Sequence, residues 1–95
     1  MLSRVRSISV DKKKLRGLKK EWPRYPVTLK GKGLRAGYLI VDRKTGAGVS
    51  ITFWESKRAM RASQRDPEFK KAYERLKPYF KEKDLAYYDV ICAMD

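Results

Sequence analysis

Gly33 to Met60, Gly-Leu-Arg-Ala-Gly-Tyr-Leu-Ile-Val-Asp-Arg-Lys-Thr-Gly-Ala-Gly-Val-Ser-Ile-Thr-Phe-Trp-Glu-Ser-Lys-Arg-Ala-Met, reads as a strand, a glycine turn, a second strand and an abrupt entry into a helix. Strands pleat with period two, so Val49, Ile51 and Phe53 share one face while Ser50, Thr52 and Trp54 share the other. The first face is expected to belong to a core, and the second to be available to line a cavity. In Thr45-Gly46-Ala47-Gly48 the glycines supply positive φ for a hairpin connection. A phosphate-binding loop would need a third glycine and a helix after it, whereas this turn joins two strands.

Upstream, Leu34 to Val41 is the first strand of the hairpin, with Leu34, Ala36, Tyr38 and Ile40 on one side. Residues 2 to 10 are rich in β-branched side chains and free of Gly and Pro, and predict an opening strand whose alternation is blurred by Arg4 and Arg6. Asp11 is placed to cap a helix whose face is Leu15, Leu18 and Trp22. Pro23 and Pro26 end it near Trp22, or let it resume as an irregular turn through Leu29. Downstream, Ser56 caps a helix beginning at Lys57, and Asp66-Pro67-Glu68 restarts one. Phe69, Ala72, Tyr73, Leu76 and Phe80 follow at i, i+3, i+4, i+7 and i+11, an apolar stripe whose ordinary meaning is core packing, and Pro78 marks its end. Leu85 to Met94 is expected to be the last strand, buried on both faces at Val90, Ile91 and Cys92. The order strand, helix, strand, strand, helix, strand predicts an α+β fold, a ferredoxin-like βαββαβ sandwich in which residues 1–95 form a single domain.

The chain has 95 residues, and a domain of this size buries only roughly two-thirds of the surface its unfolded chain exposes. Twenty-four Lys and Arg stand against eleven Asp and Glu, for a net charge of +13, and the excess lies in residues 1 to 35, with twelve basic and two acidic side chains. That asymmetry attracts polyanions, so nucleic acid is considered as a partner, although solvated lysines on an outer helix face account for it more simply. RNA-binding sheets of this topology carry a basic-aromatic third strand that Val49 to Trp54 does not match. There is no histidine, which removes serine–histidine and cysteine–histidine nucleophiles and histidine-ligated metal or haem. Cys92 is the sole cysteine, and residues 1 to 10 have no apolar run, so neither a disulfide, a secretory signal nor a membrane span is expected, and a cytoplasmic location is.

The segment Gly-Tyr-Leu-Ile-Val-Asp-Arg-Lys-Thr-Gly-x-Gly-Val-Ser-Ile-Thr-Phe-Trp-Glu-Ser resembles the dimeric α+β barrel superfamily, and within it proteins similar to antibiotic biosynthesis monooxygenases, best over residues 33 to 73. The resemblance implies a homodimer whose two sheets face each other as a barrel, with a ligand pocket between sheet and helices in each protomer. Members oxygenate polycyclic phenols without metal or flavin, degrade haem, or bind small aromatic signals, so no cofactor is implied. Cofactor-free oxygenation needs a substrate that loses a proton to become an electron-rich anion, and polar groups that stabilise the developing charge. The haem-degrading branch carries Phe-Lys-x-Ala-His with a tryptophan ten residues before the histidine; here Phe69-Lys70-Lys71-Ala72-Tyr73 and Ser63 depart from both. The asparagine common on the first strand of catalytic members has no counterpart, Ser7 or Ser9 being the nearest polar substitute. The pocket candidates are Trp54, Thr52, Tyr73 and Tyr38, with the Trp54 indole suited to stack on an aromatic ligand. Alternatively Trp54 and Tyr38 plug the barrel between protomers, and Glu55 is either a general base or a solvated carboxylate at the helix entry. The resulting expectation is a small-molecule pocket protein resembling cofactor-independent monooxygenases acting on aromatic or quinol-like substrates. A basic module binding nucleic acid and a ligand-free structural or regulatory dimer are the alternatives.

Overall fold

β1 (Leu2–Val10) is the strand to which the others are fitted, pairing antiparallel with β3 (Ala47–Trp54) on one side and with β4 (Phe80–Asp89) on the other. β2 (Leu34–Val41) completes the sheet beyond β3, giving the order β2-β3-β1-β4. The computed structural model describes residues 1–24 and 31–94. β1 and β2 are both antiparallel to β3, and therefore run parallel with β3 between them. β3 and β4 flank β1 in the same way. Each parallel pair requires a crossover, and helices supply it in both cases. The predicted ferredoxin-like α+β architecture is the observed one.

The helix starts follow from the capping residues. Asp11 accepts from the Lys13 amide at 3.0 Å, opening a 3-10 turn at Lys12–Lys14 that runs into α1 (Leu15–Glu21). Ser56 Oγ accepts from the Ala59 amide at 3.1 Å at the head of α2 (Lys57–Ser63). Asp66 accepts from the Glu68 and Phe69 amides at 2.9 and 3.4 Å, and Pro67 opens α3 (Pro67–Leu76). The same carboxylate is ion-paired to Lys32; that hydrogen bond first, then the two amides, hold Asp66 below the usual carboxylate range and raise Lys32. Among the described residues no helix is long and apolar enough to cross a membrane.

Both crossovers cover one face of the sheet, and the core lies there. Its buried members are Ile8 and Val10 of β1, Leu18 of α1, Trp54, Met60, and Phe69, Ala72 and Leu76 of α3. The face chosen is the opposite of the one expected. Trp54 and Thr52 are 0% and 2% exposed beneath the helices, and Ser50 is buried with them. Val49, Ile51 and Phe53 are only half-buried on the uncovered side, next to Tyr38 and Ile40, which are exposed. Alternation separates two faces without saying which receives the helices, and here the polar set does because it ends in a tryptophan. Among the described residues that the register pairs, the charged strand positions on the uncovered face are Lys81 and Asp84, opposite Ser9 and Ser7, with Arg35 and Lys83 at the two bulges.

The last strand also differs. Leu76 does not continue as helix to Phe80; a 3-10 turn at Lys77–Tyr79 intervenes, and Phe80 is the first residue of β4. β4 ends at Asp89, so Val90, Ile91 and Cys92 lie beyond it, and Ile91 and Met94 are 86% and 97% exposed instead of buried on both faces. Pro78 accounts for the shift, since it closes the helix and lets extended backbone begin five residues early. The irregular turn expected through Leu29 falls on residues 25–30, outside those described.

The hairpin turn closes on Gly46, at φ 81°, whose amide donates to Asp42 and whose carbonyl accepts from the Val10 amide, both at 2.8 Å. A Cβ on Gly46 would stand 2.2 Å from the Val10 carbonyl oxygen, whereas one on Gly31, also at φ 81°, would meet nothing within 4 Å. Gly31→Ala should therefore cost only the left-handed penalty of roughly 1–2 kcal/mol, and Gly46→Ala at least about twice that, because the β1 end must also move. Thermal melts of the two variants check this, and equal losses would contradict it.

Candidate functional site

Register with β3 sets the chemistry of the covered face. Arg4 stands opposite Thr52, and Arg6 opposite Ser50, so both arginines of β1 lie on the side that the helices cover. Arg4 is 1% exposed, its guanidinium carbon 5.2 Å from the Trp54 ring centre and 5.4 Å from that of Phe69. The Trp54 indole N–H donates to Thr52 Oγ1 at 2.9 Å, which fixes the ring against the arginine. Arg6 lies over the Tyr73 ring at 4.5 Å, and Tyr73 in turn stacks on Phe69 at 6.5 Å and 11° and meets Phe80 edge-on at 6.4 Å. Trp54, Arg4, Phe69, Tyr73 and Arg6 thus form one connected layer of rings and cations.

Removing a guanidinium from water costs several kcal/mol, and each desolvated cation–π contact returns about 2 kcal/mol of it. A fixed cation against two aromatic rings suits a flat ligand bearing negative charge, since attraction strengthens where water is excluded.

The space beside Arg6, Ser50, Tyr73 and Trp22 is about 10 Å³, room for roughly one water molecule. Trp22 and Leu39 also border a hollow of about 400 Å³ reaching Leu15, Lys19 and Gly37. Trp22 is thus the wall between cleft and hollow, and its ring fits because residue 37 is glycine: a Cβ there would stand 3.1 Å from it. A separate open groove of about 570 Å³ lies at the other end of the sheet, between α2 and the ends of β1 and β4.

Of the four residues singled out from sequence, the fold places Trp54, Thr52 and Tyr73 on the covered side and Tyr38 on the other. Tyr38 is 56% exposed, edge-on to Phe53 at 6.1 Å, with the sheet between it and the rest. Glu55 is exposed and paired with Arg35 at 2.6 Å, and so lies outside any dry pocket. Ser7 and Ser9 sit on the uncovered face, opposite Val49 and Ala47. Sequence reasoning missed Arg4, Arg6, Ser50 and Glu82. The signal for the arginines was present: two charges at even positions of a β-branched run mark one face. Glu82 was hidden by a β-bulge. Ser7 pairs with Asp84 and Ile8 with Glu82, so Lys83 is skipped and the alternation of β4 reverses there. Glu82 is thereby carried to the covered side, where it accepts from the Tyr73 hydroxyl at 3.0 Å and from Arg6 at 3.2 Å.

This α+β architecture is shared by solved structures described as antibiotic biosynthesis monooxygenases. Among solved structures the chain is similar to SnoaB, a cofactor-independent oxygenase from Streptomyces nogalater, with a TM-score of 0.80 at 14% identity, covering 98% of this chain and 95% of that one. It is likewise similar to a candidate antibiotic biosynthesis monooxygenase from Nitrosomonas europaea (TM-score 0.78, 10% identity, 97% and 100% covered) and to a conserved protein from Methanosarcina mazei Go1 (0.76, 17%, 92% and 89%). No family model matches the sequence, and no curated protein matches it. At such identities the likeness carries the fold.

Thr52→Val keeps the shape of the side chain and removes the acceptor of the buried Trp54 N–H, which should cost about 1–3 kcal/mol in chemical denaturation, with Thr52→Ser recovering most of it. A valine variant as stable as the parent would show that the indole is held by packing alone.

Proposed function

We propose that the protein binds a small acidic aromatic molecule, a phenol or quinol, in the layer between sheet and helices and oxygenates it without a cofactor, dioxygen being the second substrate. The observation that carries this reading is Arg4, a fully covered guanidinium over the rings of Trp54 and Phe69. An ionised phenol is electron-rich enough to react with dioxygen, and a fixed neighbouring cation stabilises both that anion and the negative charge that develops on oxygen. Trp54 supplies a stacking plane, while Thr52 and Tyr73 supply hydroxyls. A ring-sized ligand requires Trp22 to turn aside and join the cleft to the hollow beyond it. The similarity to SnoaB supports the same direction.

We propose further that the protein is a homodimer in which a second copy covers the open sheet face. Tyr38, Ile40 and Phe53, with Val49 and Ile51, form a continuous apolar surface there, and monomeric proteins rarely leave one of that kind uncovered. In this arrangement Tyr38 belongs to the interface and not to the ligand. Ile40→Lys should shift the sedimentation of the protein from dimer to monomer; a monomeric parent would refute the dimer.

Oxygen uptake and binding are to be measured with a panel of hydroquinones and anthrones. Uptake is expected with at least one, and Arg4→Met, which keeps much of the side chain's length and removes its charge, should reduce it at least about tenfold in protein that still unfolds cooperatively. Absence of uptake across the panel, or an Arg4→Met variant as active as the parent, would falsify the oxygenase reading.

A further inference from the structure

We propose that Tyr73 and Glu82 form the proton-accepting relay of the cleft, Tyr73 meeting the ligand and Glu82 receiving the proton through it. The inference rests on the phenol-site reading above and names the group that reading lacks: an acceptor for the substrate's proton in a chain without histidine.

The geometry is specific. Arg6, Ser50 and Tyr73 line the cleft, and Glu82 stands behind Tyr73, its Oε2 accepting from the Tyr73 hydroxyl at 3.0 Å and its Oε1 from Arg6 Nη1 at 3.2 Å. The Glu82 side chain is 33% exposed against 13% for Arg6, so the relay leads from the interior to water. The bulge at Lys83 turns this carboxylate towards the helices; regular alternation through Leu85 would leave it on the other face. Other charges face the pair: Lys77, 5.6 Å from the Tyr73 ring and itself bound to Glu74 at 2.9 Å, and Arg4 beyond Phe69. All the neighbouring cations favour an anion in the cleft.

The step moves a proton and no electrons. The O–H bond of the bound phenol breaks and its proton joins Tyr73 Oη, while the proton of Tyr73 passes to Glu82 Oε2. The products are a phenolate beside Arg6, a neutral Tyr73 and a protonated Glu82 that discharges to solvent. Glu82 is thus a positioning residue for Tyr73 as well as the terminal acceptor.

The test uses oxygen uptake by the full chain with a dichlorinated hydroquinone, chosen so that its hydroxyl ionises in water within the range in which the protein is stable. Below that pH, Glu82→Gln should lower kcat about a hundredfold with KM within about threefold, Tyr73→Phe should do the same, and the double variant should lose no more than either. Glu82→Asp should recover part of the rate. Above that pH the substrate arrives ionised, and the rates of all variants should converge on the parent's. A loss of equal size at every pH would assign Glu82 a structural role and overturn the relay, as would an unchanged kcat. If Glu82→Gln fails to fold, Tyr73→Phe, which keeps the ring, carries the same pH comparison. Binding and turnover by the parent with no difference in either variant sinks the relay alone, whereas no uptake by the parent sinks the phenol-site reading and the relay with it.

Discussion

The hydrogen bond from the Trp54 indole to Thr52 is the fixed point of this molecule. It joins two residues of one strand on the face that receives the helices, and holds an aromatic plane where α3 closes over the sheet. Because the indole is fully covered, its N–H must find an acceptor inside, and a hydroxyl two residues earlier on the same face is the nearest one a strand can offer. Arg4 then lies over both the Trp54 and the Phe69 ring, its guanidinium carbon 5.2 and 5.4 Å from their centres. Polar residues in the middle of a core are thus not defects that the fold tolerates; they set the spacing between its two layers.

How much of this could be read from the chain varies by element. β1, the hairpin and the three caps were legible because each has a local cause: a run of β-branched residues, glycines at a turn, an Asp or Ser before a helical stripe. The side of the hairpin that would be covered was not, since that depends on where crossover helices land, and alternation is symmetric between the two faces. β4 was misplaced by five residues because Phe80 continues the helical spacing of α3 although Pro78 has already ended it. Its phase was unreadable for a different reason, because the bulge at Lys83 is fixed by the partner strand.

The candidate site follows the same division. Trp54, Thr52 and Tyr73 were accessible from motif and periodicity, and they do lie on one side of the sheet. Tyr38 shares the hairpin with two of them and still ends on the far side, because it pairs with Ile51 and not with a residue of the covered set. The arginines are visible in the sequence as charges that blur the alternation of the opening strand. Charged side chains at even positions of a central strand are better understood as statements about what the covered face must hold.

The near absence of charge on the open sheet face has an electrostatic consequence. The excess of +13 is borne largely by α1, α2, α3 and their flanks, on the far side of the sheet. Two copies meeting through the open face would place their sheets about 10 Å apart and their helix layers about as far again beyond each, some 30 Å from one another. That is several screening lengths at physiological ionic strength, where the Debye length is about 8 Å. Two strongly cationic chains would therefore associate almost as neutral ones do, and the cost of the shared charge would appear only when salt is withdrawn.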